Sequence, residues 1–223
     1  MNQAVELVEP TNSYQRQVRW AITLSWFTIS YNVIEGVVSI FLGISEGSMA
    51  LAGFGGDSLI EVASASLVLW RFRGDFDVGT KLAIEKEKRA TLGIGILFVL
   101  LALVTVLAAS ANLFSKVTPD TTLPGLIVSL VSLSFMFYLW ASKKKVAKSL
   151  NSSTMAKDAS CSLACIKLSF ILFAGSLLYM AMPTLWWADS AAALLLSIFI
   201  GHKGIETIKA TRKKNFVGGC GCS

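Results

Sequence analysis

The sequence predicts an all-α membrane protein with six transmembrane helices, on three observations. Hydrophobic residues make up 54% of the 223 positions and charged residues 15%, with a positive mean hydropathy; an ordinary soluble domain is less apolar and more charged. The apolar residues gather into six stretches, at 20–42, 49–70, 90–114, 123–142, 156–182 and 187–209, each long enough as a helix to cross about 30 Å of hydrocarbon. Lysine and arginine alternate with these stretches in blocks, as they do where loops face opposite sides of a bilayer.

The N-terminal segment, residues 1–17, carries Glu6, Glu9 and Pro10. It lacks the basic start, short apolar run and small-residue cleavage site of a secretory signal, so it is expected to be retained. The loops at 43–48, at 115–122 with Pro119, and at 183–186 are short, which makes consecutive spans antiparallel neighbours. Within the second span, Gly53, Gly55 and Gly56 and the run Ala63-Ser64-Ala65-Ser66 permit close helix approach. The longer connectors read as a solvated segment at 74–89, mixing acids and bases, and a segment at 143–157 turning at Asn151-Ser152-Ser153. A six-helix transmembrane domain thus covers 18–209, followed by a basic tail, 210–223, ending in Gly218-Gly219-Cys220-Gly221-Cys222-Ser223 and expected to be disordered.

The basic blocks are Arg16 and Arg19; Arg71, Arg73, Lys81, Lys86, Lys88 and Arg89; Lys143, Lys144, Lys145, Lys148 and Lys157; and Lys203, Lys209, Arg212, Lys213 and Lys214. In a six-span chain all four fall on one side, while the opposite loops hold only Lys116. The excess of positive charge on cytoplasmic loops puts both termini in the cytoplasm. The net charge of +6 then reflects topology and contact with anionic lipid, and nucleic acid is excluded as a partner. Two of the four cysteines lie in the fifth span and two in the tail, unlike the framework of a disulfide-stapled secreted domain.

Two patterns carry chemistry. Asp57-x-x-x-Glu61 and Cys161-x-x-x-Cys165 each place two metal-ligand side chains one helical turn apart on nearly one face. An acidic residue at mid-membrane costs about 2.5–3.5 kcal/mol or more, and two like charges one turn apart repel, so the acid pair points to a cation or proton site. Two buried cysteines alone fit ordinary packing better than ligation; beside the acids that preference reverses and they read as ligands. If the second and fifth spans are neighbours, Asp57 should lie level with Cys165 and Glu61 with Cys161, although counting from the outer boundaries sets Cys165 deeper by about 13 Å at roughly 1.5 Å per residue.

Asn32, Glu35, Asp158 and Asp189 are candidates for a supporting shell or polar pathway, Asp158 lying one turn from Cys161 on the same face. Lys167, two residues from Cys165, points elsewhere and is expected to pair with Glu35 or another acid. The single histidine, His202, reads as interfacial. Cys220 and Cys222 form a candidate capture site for a soft metal, or a dithiol without assigned work.

These motifs resemble the transmembrane part of cation diffusion facilitator transporters. The resemblance runs from about Arg19 to Lys209 and is carried by Tyr31-Asn32 and Gly36, by Gly47-Ser48-Met49-Ala50-Leu51-Ala52 leading into Asp57-Ser58-Leu59-Ile60-Glu61, by Asp158-Ala159-Ser160-Cys161 with Cys165, and by Trp187-Ala188-Asp189-Ser190-Ala191-Ala192. It implies a six-helix bundle that exports zinc or a related divalent ion by proton exchange; it is compatible with a membrane-embedded homodimer, while dimerisation through the family's cytoplasmic domain is not carried over. The family's second-helix ligand pair falls on Asp57 and Glu61, and its fifth-helix His and Asp fall on Cys161 and Cys165. Thiolates favour softer ions, so zinc, cadmium, lead and mercury all fit. The family's C-terminal cytoplasmic metal-binding domain and histidine-rich loop have no counterpart here.

The expected function is therefore export of a divalent heavy-metal cation, with protons as counter-ion, no permanently bound cofactor and no enzyme chemistry. The alternatives are a membrane thiol oxidoreductase using Cys161 and Cys165, which lacks a C-x-x-C motif and leaves the acids without a role, and a metal-binding membrane protein that does not transport.

Overall fold

The computed structural model describes residues 12–46, 49–73, 81–116 and 123–213. Over these the chain is all-helical: α1 (Asn12–Glu46), α2 (Met49–Phe72), α3 (Lys81–Phe114), α4 (Leu123–Leu150), α5 (Ser153–Ala181) and α6 (Ala188–Arg212), with a 3-10 turn at Pro183–Leu185 before α6. Each apolar stretch falls on one helix. The helices outrun the stretches into the charged flanks, since α1 begins at Asn12, α3 at Lys81, and α4 continues to Leu150. The helix formers Gln and Arg in the α1 flank, and Lys, Glu, Ala and Leu in the α3 and α4 flanks, carry the backbone past the end of the apolar pattern. The turn at Asn151 is present, with Asn151 at φ 46°, a left-handed conformation that asparagine tolerates. Ser152 caps α5, its hydroxyl accepting from the Met155 amide at 3.2 Å.

Burial runs opposite to that of a water-soluble bundle. On α1 the polar residues Ser25, Thr28, Asn32, Glu35 and Ser39 form a buried stripe at three- and four-residue spacing, while Ile34, Val37 and Phe41 are 66%, 65% and 70% exposed. On α6, Ser190, Ser197, Thr207 and Thr211 are buried while Leu195, Ile198 and Phe199 face outward. In water this arrangement would leave large apolar surface unburied; in lipid it is the stable one, with polar groups turned to the bundle interior. α1, α3 and α6 are each long and apolar enough to cross a membrane, over Asn12–Leu42, Leu82–Phe114 and Ser190–Arg212.

α5 is the central helix, packed against α2, α3, α4 and α6; α1 packs on α2 and α4, and α3 on α6 and α2. The α1–α2 seam closes at glycine: a Cβ on Gly55 would sit 2.9 Å from the Gly36 carbonyl oxygen and 2.6 Å from Ile40 Cγ1. The α3–α6 seam is equally close, with the Gly95 carbonyl oxygen 3.0 Å from where a Gly204 Cβ would lie.

At the charged end of the bundle, Glu87 ties three helices together. Its Oε2 pairs with Arg71 of α2, and its Oε1 accepts from Ser152 Oγ at 2.6 Å and the Thr154 amide at 2.8 Å. The sequence placed Arg71 and Glu87 in a solvated flank, yet they are 7% and 3% exposed. The early start of α3 brings the Glu87 carboxylate against the N-terminus of α5, where free amides and the helix dipole attract it.

Candidate metal centre

The site grows from the face of α2 that turns toward α5. Glu61, Ser64 and Ala65 are fully buried there, and Val68 continues the face one turn on. From α5, Asp158, Cys161, Ser162 and Cys165 point back. One oxygen of Glu61 and the sulfurs of Cys161 and Cys165 all lie within 4.8 Å of one another. Ligand atoms around one tetrahedral zinc stand about 3.5–3.8 Å apart, given Zn–S of about 2.3 Å and Zn–O of about 2.0 Å. The cluster thus needs a contraction of at most about an ångström to reach a gripping geometry. Both cysteines are free thiols, hydrogen-bonded to each other.

Glu61 is held on one side only. Its Oε2 accepts from Lys143 Nζ at 3.3 Å and from Ser162 Oγ at 3.2 Å. Its Oε1 is buried with no hydrogen-bond partner among the described residues. A buried carboxylate oxygen left without a donor is costly, and a cation supplies what is missing.

Asp57 lies one turn from Glu61, half-buried rather than enclosed, and is not part of the three-residue cluster. It remains within Coulombic reach of Glu61, Glu35 and Cys165. Of the four residues expected to converge, three do so within 4.8 Å and Asp57 stands outside that cluster. Asp158 joins the site through its partners: Oδ1 accepts from Ser64 Oγ at 2.6 Å, and Oδ2 lies 2.9 Å from Lys143 Nζ.

Lys143 is the residue that sequence reasoning missed. It heads the run Lys143-Lys144-Lys145, which was assigned to a cytoplasmic loop; in the structure it lies on α4 and is 0% exposed, among Glu61, Asp158 and Ser162. A signal for it was available. Among the described side chains of α4, Ser132, Met136, Leu139, Lys143, Val146 and Ala147 are the buried ones, and their spacing continues one helical face straight into the lysine run.

Glu35 belongs to a separate cluster, where its Oε1 accepts from Tyr31 Oη at 3.3 Å and its Oε2 from Ser58 Oγ at 3.1 Å, with Ser132 also hydrogen-bonded to it. Asn32 donates to the Thr28 carbonyl at 2.9 Å, leaving Oδ1 buried and unpartnered among the described residues. Lys167 faces outward rather than pairing with Glu35, because its position on α5 turns away from the face that carries the cysteines. His202 is exposed on α6. The Asp189 side chain, Cys220 and Cys222 lie outside the described residues.

No family model matches the chain. Transmembrane protein 163 of Xenopus laevis is 24% identical over 196 residues, covering 88% of this chain and 68% of that protein. Taken with the lipid-type burial and the three spanning-length helices, the similarity makes this chain a membrane protein.

Proposed function

We propose that the chain is a six-span exporter of a divalent heavy-metal cation, of the cation diffusion facilitator type, with Glu61, Cys161 and Cys165 as first ligands and Asp57 as the acid that passes the ion to or from them. The observation that carries this reading is a buried carboxylate facing two buried thiols with one oxygen unpartnered. Two sulfurs and one oxygen suit zinc, cadmium and other borderline or soft ions better than magnesium or calcium. α2, α4 and α5 complete the span count, their charges being turned onto one another in the bundle centre. The basic blocks set both termini in the cytoplasm. Ligand thiols must lose protons to bind a metal, which makes protons the natural counter-ion. Glu35 and Asn32 line the polar stripe of α1 as supporting residues, and any homodimer is formed within the membrane.

The test is uptake of Zn2+ or Cd2+ into inverted membrane vesicles under an imposed pH gradient. The parent accumulates metal, and Cys165→Ser or Glu61→Ala loses at least about tenfold of the rate, since loss of even a residue that only orients a ligand costs about 10–100-fold. Transport by both variants at the parent rate would overturn the assignment. Metal binding without flux would identify a non-transporting binder, and reversible Cys161–Cys165 disulfide cycling would identify a thiol oxidoreductase.

A further inference from the structure

Lys143 occupies the position from which a cation would compete for Glu61. Its ammonium donates to Glu61 Oε2 at 3.3 Å and to Ser162 Oγ at 3.0 Å and forms an ion pair with Asp158 Oδ2 at 2.9 Å, so one lysine charge is shared between two acids. The three side chains Glu61, Asp158 and Lys143 are all 0% exposed, so one ammonium faces two acids with no solvent to screen them. Yet Glu61 is also the acid that faces Cys161 and Cys165. A divalent cation gripped by that carboxylate and the thiols would repel an ammonium sharing the same carboxylate, since like charges interact strongly where water is excluded.

We propose that Lys143 is a tethered competitor of the transported ion: its ammonium holds Glu61 while the site is empty and withdraws onto Asp158 when a divalent cation binds. This rests on the metal-site reading above. Asp158 is the second mooring, kept in place by Ser64 at 2.6 Å and already the nearer of the two acids. The flexible four-carbon stem of lysine, ending in a compact charge, allows such a swing. Two consequences follow for a carrier. The empty site never presents an uncompensated carboxylate to the low-dielectric interior while it reorients, and the resident cation weakens metal binding so that release is not blocked.

The experiment measures Cd2+ and Zn2+ binding to the purified full chain in lipid nanodiscs, and flux in proteoliposomes in two modes: net uptake, in which the empty carrier must return, and metal-for-metal exchange, in which only the loaded carrier moves. If the ammonium holds Glu61 for about nine-tenths of the time, Lys143→Met tightens binding about tenfold. Net uptake then falls several-fold while exchange is retained. Asp158→Asn acts in the opposite direction, because the ammonium is left with Glu61 as its only acid, and metal binding weakens. The double variant Lys143→Met/Asp158→Asn removes one charge of each sign, leaves the formal charge of the site as in the parent and binds as tightly as Lys143→Met, which serves if either single variant does not fold.

Equal or weaker binding in both Lys143→Met and the double variant would overturn the proposal, as would an equal loss of uptake and exchange. Parent-like affinity in Cys161→Ser/Cys165→Ser would instead overturn the metal site itself, whatever the lysine variants do.

Discussion

Glu87 shows how much a single buried charge can carry in this protein. It faces Arg71, two serine hydroxyls and the Thr154 amide, and replacing it with alanine leaves the Arg71 guanidinium enclosed without its acid. Breaking a buried pair from one side costs about 3–5 kcal/mol, whereas removing both charges is far milder. Glu87→Ala is therefore expected to lower the melting temperature in detergent markedly, and Glu87→Ala/Arg71→Met to recover most of the loss, with tryptophan fluorescence as the readout. Equal melting of single and double variants would contradict this account. The Arg89–Glu85 pair, whose side chains are 68% and 56% exposed, is the contrast. As a surface pair one turn apart it contributes at most about 0.5 kcal/mol, and Glu85→Ala is expected to melt close to the parent.

The register of α2 against α1 depends on two adjacent glycines that are not equivalent. A methyl group on Gly55 would run into Ile40 Cγ1 at 2.6 Å and the Gly36 carbonyl at 2.9 Å, while one on Gly56 would meet nothing within 4 Å. A backbone carbonyl cannot step aside as a side chain can, so Gly55→Val must push α2 off α1 and carry Glu61 away from the cysteines with it. Overpacking of this kind costs about 1–3 kcal/mol. Gly55→Val is expected to lose both stability and Cd2+ binding, and Gly56→Ala neither; parent-like binding by Gly55→Val would show that the seam does not position the site. Gly55 and Gly36 were legible from the sequence as small residues on polar-bearing spans, and so was the i, i+4 pairing that brings Glu61 to Cys161 and Cys165. The buried stripe of α1, from Ser25 to Ser39, was written in the sequence at helical spacing but was hidden by the mean hydropathy of its segment. What pattern alone did not settle was depth. Helix ends in charged flanks carry no apolar signal, which is why Lys143 and Glu87 were assigned to solvent, and relative helix register is set by seams such as Gly36–Gly55, which is why spacing alone did not separate Asp57 from the cluster that Glu61 forms with the sulfurs.

The bundle places its cluster where the α1–α2 pair meets the α4–α5 pair, with α3 and α6 packed against each other and against α5, so any movement between those pairs changes the site and its access together. Coupling to protons follows from the donor set. Metal binds to thiolate, not thiol, so each thiol that becomes a ligand releases a proton. Protons and metal therefore compete: raising the pH tightens metal binding and lowering it drives release. If both Cys161 and Cys165 deprotonate on binding, the apparent affinity rises by up to about a hundredfold per pH unit, and by about tenfold per unit when one thiol is replaced by serine. This is checked by Cd2+ binding isotherms on the purified protein at a series of pH values, with proton release into weakly buffered medium counted in parallel. A steep rise in the parent that halves on a logarithmic axis in Cys161→Ser is the expected result. A flat dependence with no proton release would mean that the sulfurs do not ligate as thiolates, and the exchange of metal for protons would lose its physical basis in this site.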